Sequence, residues 1–286
     1  MIEPVQKNEE LLGDIRDCIL PSGHWRMWWL GQSGFLIKWE DCYCLIDPYL
    51  SDSLTRKYAD TDKQHVRMTE RVLSPEQLNF VDIVTSSHNH TDHLDAETLL
   101  PILRGNPDLS MIIPEANRSF VADRLQCDYE WPIGLADGIQ HEVKGFRFIG
   151  IPAAHENLEI DELGRHRFMG YVITFGGWSI YHSGDTLRYE GMSERLKSLD
   201  IDVALLPING HNPARRVAGN LNGREAACLA KDIDVKVVIP CHYDMFTFNT
   251  ASPESFESAC KELNQAYHIM QNGEGLSSES VNSHLS

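Results

Sequence analysis

Apolar runs separated by short polar segments predict many short strands along the chain. Two of them, WRMWWLGQSGFLIKW at 25–39 and CYCLIDPYL at 42–50, are interrupted by turns at Gly31 to Gly34 and Glu40 to Asp41. The second run stops at Asp47-Pro48, a sequence typical of a strand end. Further strands are predicted at 80–87, 110–114, 146–154, 168–176, 178–184, 202–208, 235–240 and, as a short one, near 266–270.

Helical periodicity appears between these runs. A helix is predicted at 95–105 with Asp95 as its N-cap, and others at 115–125, 192–199, 223–233 and about 253–264. A block of strands followed by α/β alternation thus occurs twice. This order favours two sheets packed face to face with helices outside, in a single domain over 1–286.

Two polar segments fall outside this plan. The segment 51–73 is expected to run over the surface, and the polar tail from about residue 277 is expected to be disordered. The aromatic run WRMWWL at 25–30 leaves a homo-oligomer open if these side chains are exposed, but packing in the core is the preferred interpretation.

Composition narrows the possible partners. With 42% apolar and 23% charged residues the chain is typical of a globular protein. Its net charge of −17 argues against nucleic-acid binding, which needs lysine and arginine to neutralise phosphates.

No apolar run approaches the roughly 20 residues of a membrane span. The acidic N-terminus is unlike a secretory signal, and the seven cysteines form no C-x-x-C pair, so we expect a cytoplasmic protein with reduced thiols.

The segment SSHNHTDHLD at 86–95 holds the main chemical signal. His88 and His90 are two residues apart, so in an extended segment both imidazoles point to the same side and can bind one ion. Asp92 and His93 follow at a turn that can aim them at a second point nearby. One loop therefore offers ligands for two metal ions, and four potential ligands within six positions rarely arise by chance.

Three more candidate ligands follow apolar runs elsewhere in the chain. They are His155 after GIPAA, Asp185 in YHSGDT and His242 after VVIPC, where rigid strands can hold them. Histidine suits zinc and iron, whereas carboxylate widens the choice toward manganese. Two divalent ions of the borderline to hard class are therefore expected, and the ligand set leaves zinc, iron and manganese open.

The motifs HNHTDH, AAH, GDT and CH resemble those of the metallo-β-lactamase superfamily, from about Trp28 to about Phe256. The resemblance implies a four-layer αββα sandwich, an α/β fold with two mixed sheets flanked by helices and a binuclear metal site. It also implies the role of each ligand. His88, His90 and His155 would bind the first ion, Asp92, His93 and His242 would bind the second, and Asp185 would bridge the two ions. Asp47 would support the histidine loop without binding metal.

A narrower resemblance comes from MWWLGQSGF, IDPYLSDS, YHSGDT, IDVALLPING and VKVVIPCHYDMF. These segments are similar to the branch that contains ascorbate-6-phosphate lactonases and related metal-dependent hydrolases, with N-acyl-phosphatidylethanolamine phospholipases D further off. The chain departs from the lactonases by keeping His155 and in the loop GHNPARRVAGN. The branch is thus indicated more strongly than ascorbate 6-phosphate as the substrate.

Hydrolysis is the chemistry that such a site favours. A metal-bound hydroxide is a nucleophile at neutral pH, and Asp92 and Asp185 are the expected catalytic carboxylates, with Asp92 passing a proton to the leaving group. A small lactone or ester is the leading substrate class, with a phosphorylated sugar-acid lactone as the concrete version. A phosphodiesterase is the alternative, and redox chemistry or sensing is a third class.

Substrate contacts are predicted in the loop at 209–223 and beside the ligands. The loop presents His211, Asn212, Arg215 and Arg216, and an arginine there suits a phosphate or carboxylate on an anionic small molecule. Two solvated loop arginines are an equally good interpretation. Tyr243 is predicted to contact substrate, and His182 to support the ligands through hydrogen bonds.

Overall fold

The computed structural model describes residues 1–216 and 219–283. Its strands are β1 (Trp25–Gly31), β2 (Gly34–Trp39), β3 (Cys42–Ile46), β4 (Ile83–Thr85), β5 (Ser110–Pro114), β6 (Ile133–Leu135), β7 (Gln140–Val143), β8 (Phe146–Pro152), β9 (Met169–Phe175), β10 (Trp178–His182), β11 (Val203–Pro207), β12 (Val237–Cys241) and β13 (Gly275–Ser277). Its helices are α1 (Asn8–Arg16), α2 (Ser53–Lys57), α3 (Ala96–Gly105), α4 (Arg118–Leu125), α5 (Met192–Lys197), α6 (Gly223–Asp232), α7 (Glu254–Leu263) and α8 (Ser278–Ser283).

The strands form two mixed sheets. The first has the order β13-β1-β2-β3-β4-β5-β6 and the second the order β12-β11-β10-β9-β8-β7. Strands β3 to β6 run parallel to one another, as do β10 to β12, while the remaining pairs are antiparallel. Each sheet therefore combines an antiparallel part with a parallel α/β part, which confirms the repeated plan predicted from the sequence.

Alternation along the strands shows why the sheets stack with helices outside. In β1, Met27 and Trp29 join the core cluster shared with the second sheet, whereas Trp28 joins the cluster that contains Leu11 of α1 and Leu99 of α3. Successive side chains of a strand point to opposite faces, so both faces of the first sheet are covered. Trp25, Trp28 and Trp29 are fully buried, and the WRMWWL run therefore belongs to the core.

Local chemistry explains several element boundaries. Asp95 caps α3 as predicted, because its side chain accepts a hydrogen bond from Thr98 N at 3.0 Å. Asn222 and Glu225 form a capping box at the start of α6. The strand predicted near 266–270 is reduced to one bridge between Val238 and Tyr267. In the polar segment 51–73, the described chain forms the short helix α2 before its turns.

The expected disorder of the C-terminal tail is wrong for the residues up to 283. Strand β13 pairs antiparallel with β1, with Leu276 opposite Met27, and α8 follows it directly. Val281 in α8 is fully buried in the main core cluster. A single apolar side chain in a polar segment is a weak sequence signal, yet here the edge of β1 supplies the backbone partners that hold the tail.

Val281→Asp is expected to lower the free energy of unfolding by about 3 kcal/mol, because it places an unpaired carboxylate in the core. Asn282→Asp adds the same acid to the exposed side of α8 and should change stability by less than about 0.5 kcal/mol. Denaturant unfolding of both variants checks this difference. Equal stability of the two variants would mean that the tail does not dock.

Candidate metal site

The candidate ligands meet at one edge of the two sheets. Strands β3, β4, β10 and β12 end there, and β8 runs in the same direction as β10 because both are antiparallel to β9. The loops that follow these strands carry the ligands, which lie at the following positions: His88, His90, Asp92 and His93 after β4, His155 after β8, Asp185 after β10, and His242 after β12. Ligand sites at the carboxyl ends of strands are typical of parallel α/β sheets.

The structure sorts these side chains into two groups. One consists of His88, His90 and His155, and the other of Asp92, His93, Asp185 and His242. Within each group the potential ligand atoms lie within 4.8 Å of one another. Side chains from four separate loops are thus brought together as the sequence predicted. The two groups are neighbours, because the His88 and His93 rings lie 4.1 Å apart between centroids.

Protein contacts orient three of the imidazoles in the same way. In each of them, Nδ1 contacts an oxygen of the protein. His88 Nδ1 lies 3.0 Å from Ser87 Oγ, His93 Nδ1 lies 2.8 Å from Asp47 Oδ2, and His155 Nδ1 lies 2.8 Å from the Gly219 carbonyl oxygen. Because Nδ1 is used for these contacts, Nε2 is the nitrogen left for a metal.

Asp185 lies between the two groups. Its carboxylate oxygens are 3.3 Å from His93 Nε2, 3.6 Å from His155 Nε2 and 3.4 Å from His242 Nε2. The preceding Gly184 has a φ of +59°, and a Cβ there would come within 2.8 Å of the Ser87 side chain. Glycine therefore lets the Asp185 loop approach the histidine loop closely.

Charges differ between the two groups. Burial raises the pKa of the Asp92 and Asp185 carboxyls, but the neighbouring His93 and His242 outweigh it, so both pKa values lie well below their ordinary range. Burial lowers the pKa of His242, but the same carboxylates overcome this effect and raise it to about 9. In His88, burial and the neighbouring histidines lower the pKa well below its usual value. His88 is therefore neutral, and a metal joining the second group must replace protons.

Buried polar atoms that form no hydrogen bond show that the residues fit metal ions. His88 Nε2, His93 Nε2 and Asp185 Oδ1 are buried and form no hydrogen bond among the described residues, although His93 Nε2 and Asp185 Oδ1 face each other at 3.3 Å. Such atoms are rare in folded proteins, and each needs an explanation. A divalent ion in each group supplies the missing partner, since imidazole nitrogen and carboxylate oxygen are suitable ligands for zinc, iron and manganese.

Asp47 holds the histidine loop through hydrogen bonds from four donor groups. It is fully buried, and its oxygens accept from Thr85 Oγ1 at 2.7 Å, Ser87 N at 3.0 Å, Ser87 Oγ, and His93 Nδ1 at 2.8 Å. Burial raises the pKa of Asp47, but the hydrogen bond with His93 and nearby positive charge lower it overall. The ionised carboxylate belongs to neither ligand group and orients His93, as the predicted supporting role requires.

Asp47→Asn is expected to weaken metal binding by the second group by about 10- to 100-fold. The amide can donate to His93 Nδ1, which favours the tautomer with the proton on Nε2, where the metal must bind. Competition with a chromogenic chelator measures the affinity. Asp82→Asn is the control, because Asp82 precedes β4 at the opposite end and pairs with Lys144; equal affinities in the two variants would contradict the role of Asp47.

His182 takes a supporting position within the protein. It is buried, and Nε2 donates to the Ser33 carbonyl oxygen at 3.1 Å while Nδ1 accepts from Gly184 N at 3.3 Å. It therefore fixes the backbone that leads into Asp185.

Most of the predicted substrate contacts are used elsewhere. Tyr243 is buried, donates its hydroxyl hydrogen to the Met270 carbonyl oxygen and packs on Trp29, so its prediction as a substrate contact is wrong. Asn212 is exposed and accepts from Ala214 N, capping a short 3-10 turn at Pro213–Arg215. The His211 ring packs on Gly219, and a side chain at position 219 would collide with it. Neither of the two lines the metal-site cavity.

The two arginines of this loop differ. Arg215 donates to Asn209 O, Gly210 O and Asn249 Oδ1 at 2.8 to 3.0 Å, so its guanidinium binds the protein itself and not the cavity. The predicted substrate contact by Arg215 is therefore wrong. Arg216 does line the cavity, although it is exposed and paired with Asp62.

The structure adds two residues that the sequence analysis missed. Gln32 Nε2 lies 2.9 Å from Asp92 Oδ2 and 3.0 Å from His242 Nε2, and the Phe168 ring packs against three histidines, His88, His90 and His155. A signal for Gln32 existed. It follows β1, which runs in the same direction as β3, and therefore leaves the sheet at the same edge.

A cavity of about 560 Å³ opens over both groups. Four candidate ligands, His90, Asp92, His155 and Asp185, line it, and its other lining residues are Gln32, Leu54, Lys57, Tyr58, Lys63, His65, Asn89, Thr91, Phe120, Arg124, Arg216, Phe246 and Asn249. The size suits a small molecule. Lys57 and Lys63 add positive charge to its lining in a chain of net charge −17, whereas Arg216 is paired with Asp62.

The chain matches the family model described as beta-lactamase superfamily domain over residues 26–242, well over half of its length. It belongs to this superfamily. The resemblance drawn from the motifs and the sandwich fold are both confirmed. A UPF0173 metal-dependent hydrolase of Methanosarcina mazei is 28% identical to this superfamily member over 254 residues, covering 87% of this chain and 96% of the relative.

Solved structures share the fold of this superfamily member. A metallo hydrolase from Ignicoccus hospitalis has a TM-score of 0.64 at 22% identity, covering 89% of this chain and 98% of that chain. CmlA, a diiron β-hydroxylase from Streptomyces venezuelae, has a TM-score of 0.64 at 13% identity, covering 90% of this chain and 54% of that chain. The fold thus supports more than one chemistry, and the reaction must be argued from the site.

Proposed function

We propose that this protein is a metal-dependent hydrolase that binds two divalent ions, zinc first and manganese or iron as alternatives. The observation that carries the proposal is the set of buried ligand atoms that form no hydrogen bond among the described residues, His88 Nε2, His93 Nε2 and Asp185 Oδ1, beside a cavity of small-molecule size. The relatives named metal-dependent hydrolases support it.

Divalent ions in such a site lower the pKa of a bound water and polarise a carbonyl or phosphoryl oxygen. The chain's own residues supply the remaining functions. Asp185 and the histidines would hold the two ions, and the contacts of Asp185 with His93, His155 and His242 fix the two ligand groups relative to each other. Asp92 opens to the cavity, with 16% of its side chain exposed against 4% for Asp185, so it is the carboxylate placed to pass a proton to the leaving group. Gln32 Nε2 donates to Asp92 and fixes its orientation.

The proposed substrate is a small lactone or ester, with a phosphorylated sugar-acid lactone such as ascorbate 6-phosphate as the concrete candidate. The cavity volume suits a molecule of that size, and Lys57 and Lys63 in its lining suit an anionic group. Phosphodiesters are the second candidate class, favoured by the same cations. A cytoplasmic location and a homo-oligomer stay predictions, and among the described residues no helix is long and apolar enough to cross a bilayer.

A substrate panel tests the proposal. Zinc- or manganese-loaded protein is assayed with lactones, phosphorylated lactones, carboxylic esters and phosphodiesters, beside Asp92→Asn as the control for contaminating activity. Hydrolysis of a lactone or ester that Asp92→Asn loses supports the leading candidate. Hydrolysis of phosphodiesters alone supports the second class. If the loaded protein hydrolyses none of them, the proposed substrate classes are wrong.

A further inference from the structure

The cavity has a second polar wall that contains none of the candidate metal ligands. Asn249 and His65 both line the cavity, and neither belongs to the two ligand groups. Phe248, the neighbour of Asn249 in the chain, packs against the His65 ring with centroids 5.2 Å apart. The two polar side chains therefore belong to one continuous part of the cavity wall.

The amide of Asn249 is held in one orientation. Its Oδ1 accepts from Asn209 Nδ2 at 2.9 Å and from Arg215 Nη1 at 3.0 Å. Asn209 is itself buried, and its Oδ1 accepts from the buried Asn220 at 3.0 Å. Because both neighbours of Oδ1 donate, the oxygen is the atom that faces them. The Asn249 Nδ2 group takes no part in these hydrogen bonds, and among the described residues it has no acceptor.

His65 is fixed in a complementary state. Its Nδ1 lies 2.7 Å from the Lys63 carbonyl oxygen, which can only accept, so Nδ1 carries the proton. Tyr58 stacks on the ring at 4.6 Å, and Phe246 packs against its edge at 5.2 Å. Burial lowers the pKa of His65, which favours the neutral ring. Its Nε2 then offers a lone pair, and no described residue donates to it.

We propose that Asn249 and His65 form a substrate-recognition subsite, in which Asn249 Nδ2 donates to an oxygen of the substrate and His65 Nε2 accepts from one of its hydroxyl groups. This inference rests on the proposed function, and it narrows the substrate to a hydroxylated acid derivative. A molecule that lacks either group leaves a fixed polar atom unpaired. Arg215, the residue predicted from the sequence to bind substrate, is a positioning residue that acts through Asn249.

Isosteric substitutions separate recognition from packing. Asn249→Asp keeps an oxygen toward Asn209 and Arg215 but replaces the amide donor with an acceptor. His65→Asn keeps a donor for the Lys63 carbonyl oxygen but lacks the Nε2 acceptor, whereas His65→Gln extends an amide oxygen toward that position. Asn79→Asp is the matched control, because exposed Asn79 also accepts from an arginine, Arg16, at 3.2 Å, away from the cavity.

The measurement is the dissociation constant of gluconate 6-phosphate, the ring-opened form of a phosphorylated sugar-acid lactone, by calorimetry with zinc-loaded protein. Asn249→Asp and His65→Asn should each bind about tenfold or more weakly, with His65→Gln and Asn79→Asp within about threefold of the unsubstituted protein. All four variants should unfold at the same temperature as the unsubstituted protein. If Asn249 had only a structural role, weaker binding in Asn249→Asp would instead be accompanied by a lower unfolding temperature.

A wild-type dissociation constant in either Asn249→Asp or His65→Asn would overturn the subsite. So would failure of the unsubstituted protein to bind gluconate 6-phosphate at millimolar concentration. Binding that depends on Asn249 and His65, in a protein that hydrolyses no member of the substrate panel, would support the subsite and contradict the proposed hydrolysis. The two proposals therefore fail separately.

Discussion

Asp185→Asn is expected to lower kcat/KM by about 10³-fold or more while the protein stays folded. The carboxylate lies within 3.3 to 3.6 Å of imidazole nitrogens from both ligand groups, so its charge acts on both. Asparagine has nearly the same shape but no charge, and it offers a metal one oxygen in place of two equivalent ones. The substitution therefore tests the bridging charge and leaves the packing intact.

The measurements are turnover on a substrate found in the panel, metal content and thermal unfolding. Asp234→Asn is the matched control, because Asp234 is an exposed partner of Lys197 outside the metal-site cavity. It should retain full activity. Turnover of Asp185→Asn within about threefold of the unsubstituted protein would contradict the bridging role.

Removal of metal is expected to abolish hydrolysis and to destabilise the protein. Chelation leaves three buried atoms, His88 Nε2, His93 Nε2 and Asp185 Oδ1, without a hydrogen bond or a metal among the described residues. A ligand present at about a thousandfold above its dissociation constant contributes roughly 4 kcal/mol of stability, so the chelated protein should unfold at a lower temperature. Elemental analysis of the untreated protein should approach two divalent ions per chain.

Restoring the ion completes this test. Zinc or manganese should return activity to the chelated protein, whereas calcium should not, because it prefers oxygen ligands and the first group offers only imidazoles. Fewer than one divalent ion per chain, together with no recovery on adding zinc or manganese, would contradict a binuclear hydrolase.

Much of the framework was predictable from local pattern. Strands such as β11 and β12 are continuous apolar runs, since both of their faces are buried, and ligands such as His242 after β12 are residues of unmistakable chemistry. The spacing of His88, His90, Asp92 and His93 within one loop points to metal without any knowledge of the fold. Weakly patterned elements escaped, notably α8, which depends on the buried Val281.

The arginines show where local pattern stopped being informative. Arg215 and Arg216 are neighbours in a polar loop, and nothing in their sequence surroundings separates a residue that lines the cavity from one that holds a neighbouring side chain. Arg215 turns inward because Asn209, Gly210 and Asn249 offer it three oxygens at 2.8 to 3.0 Å. Those acceptors lie up to 34 positions away in the chain.

The kinds of ligand and the ends of the strands that carry them were thus fixed locally, by apolar runs and by the spacing of histidine and aspartate. The division into two groups, the contacts of Gln32 with Asp92 and the wall formed by His65 and Asn249 arise only in the folded protein. The physical reason is that hydrogen bonds and metal coordination act over about 3 Å or less, and only the packing of two sheets brings loops from distant parts of the chain within that range.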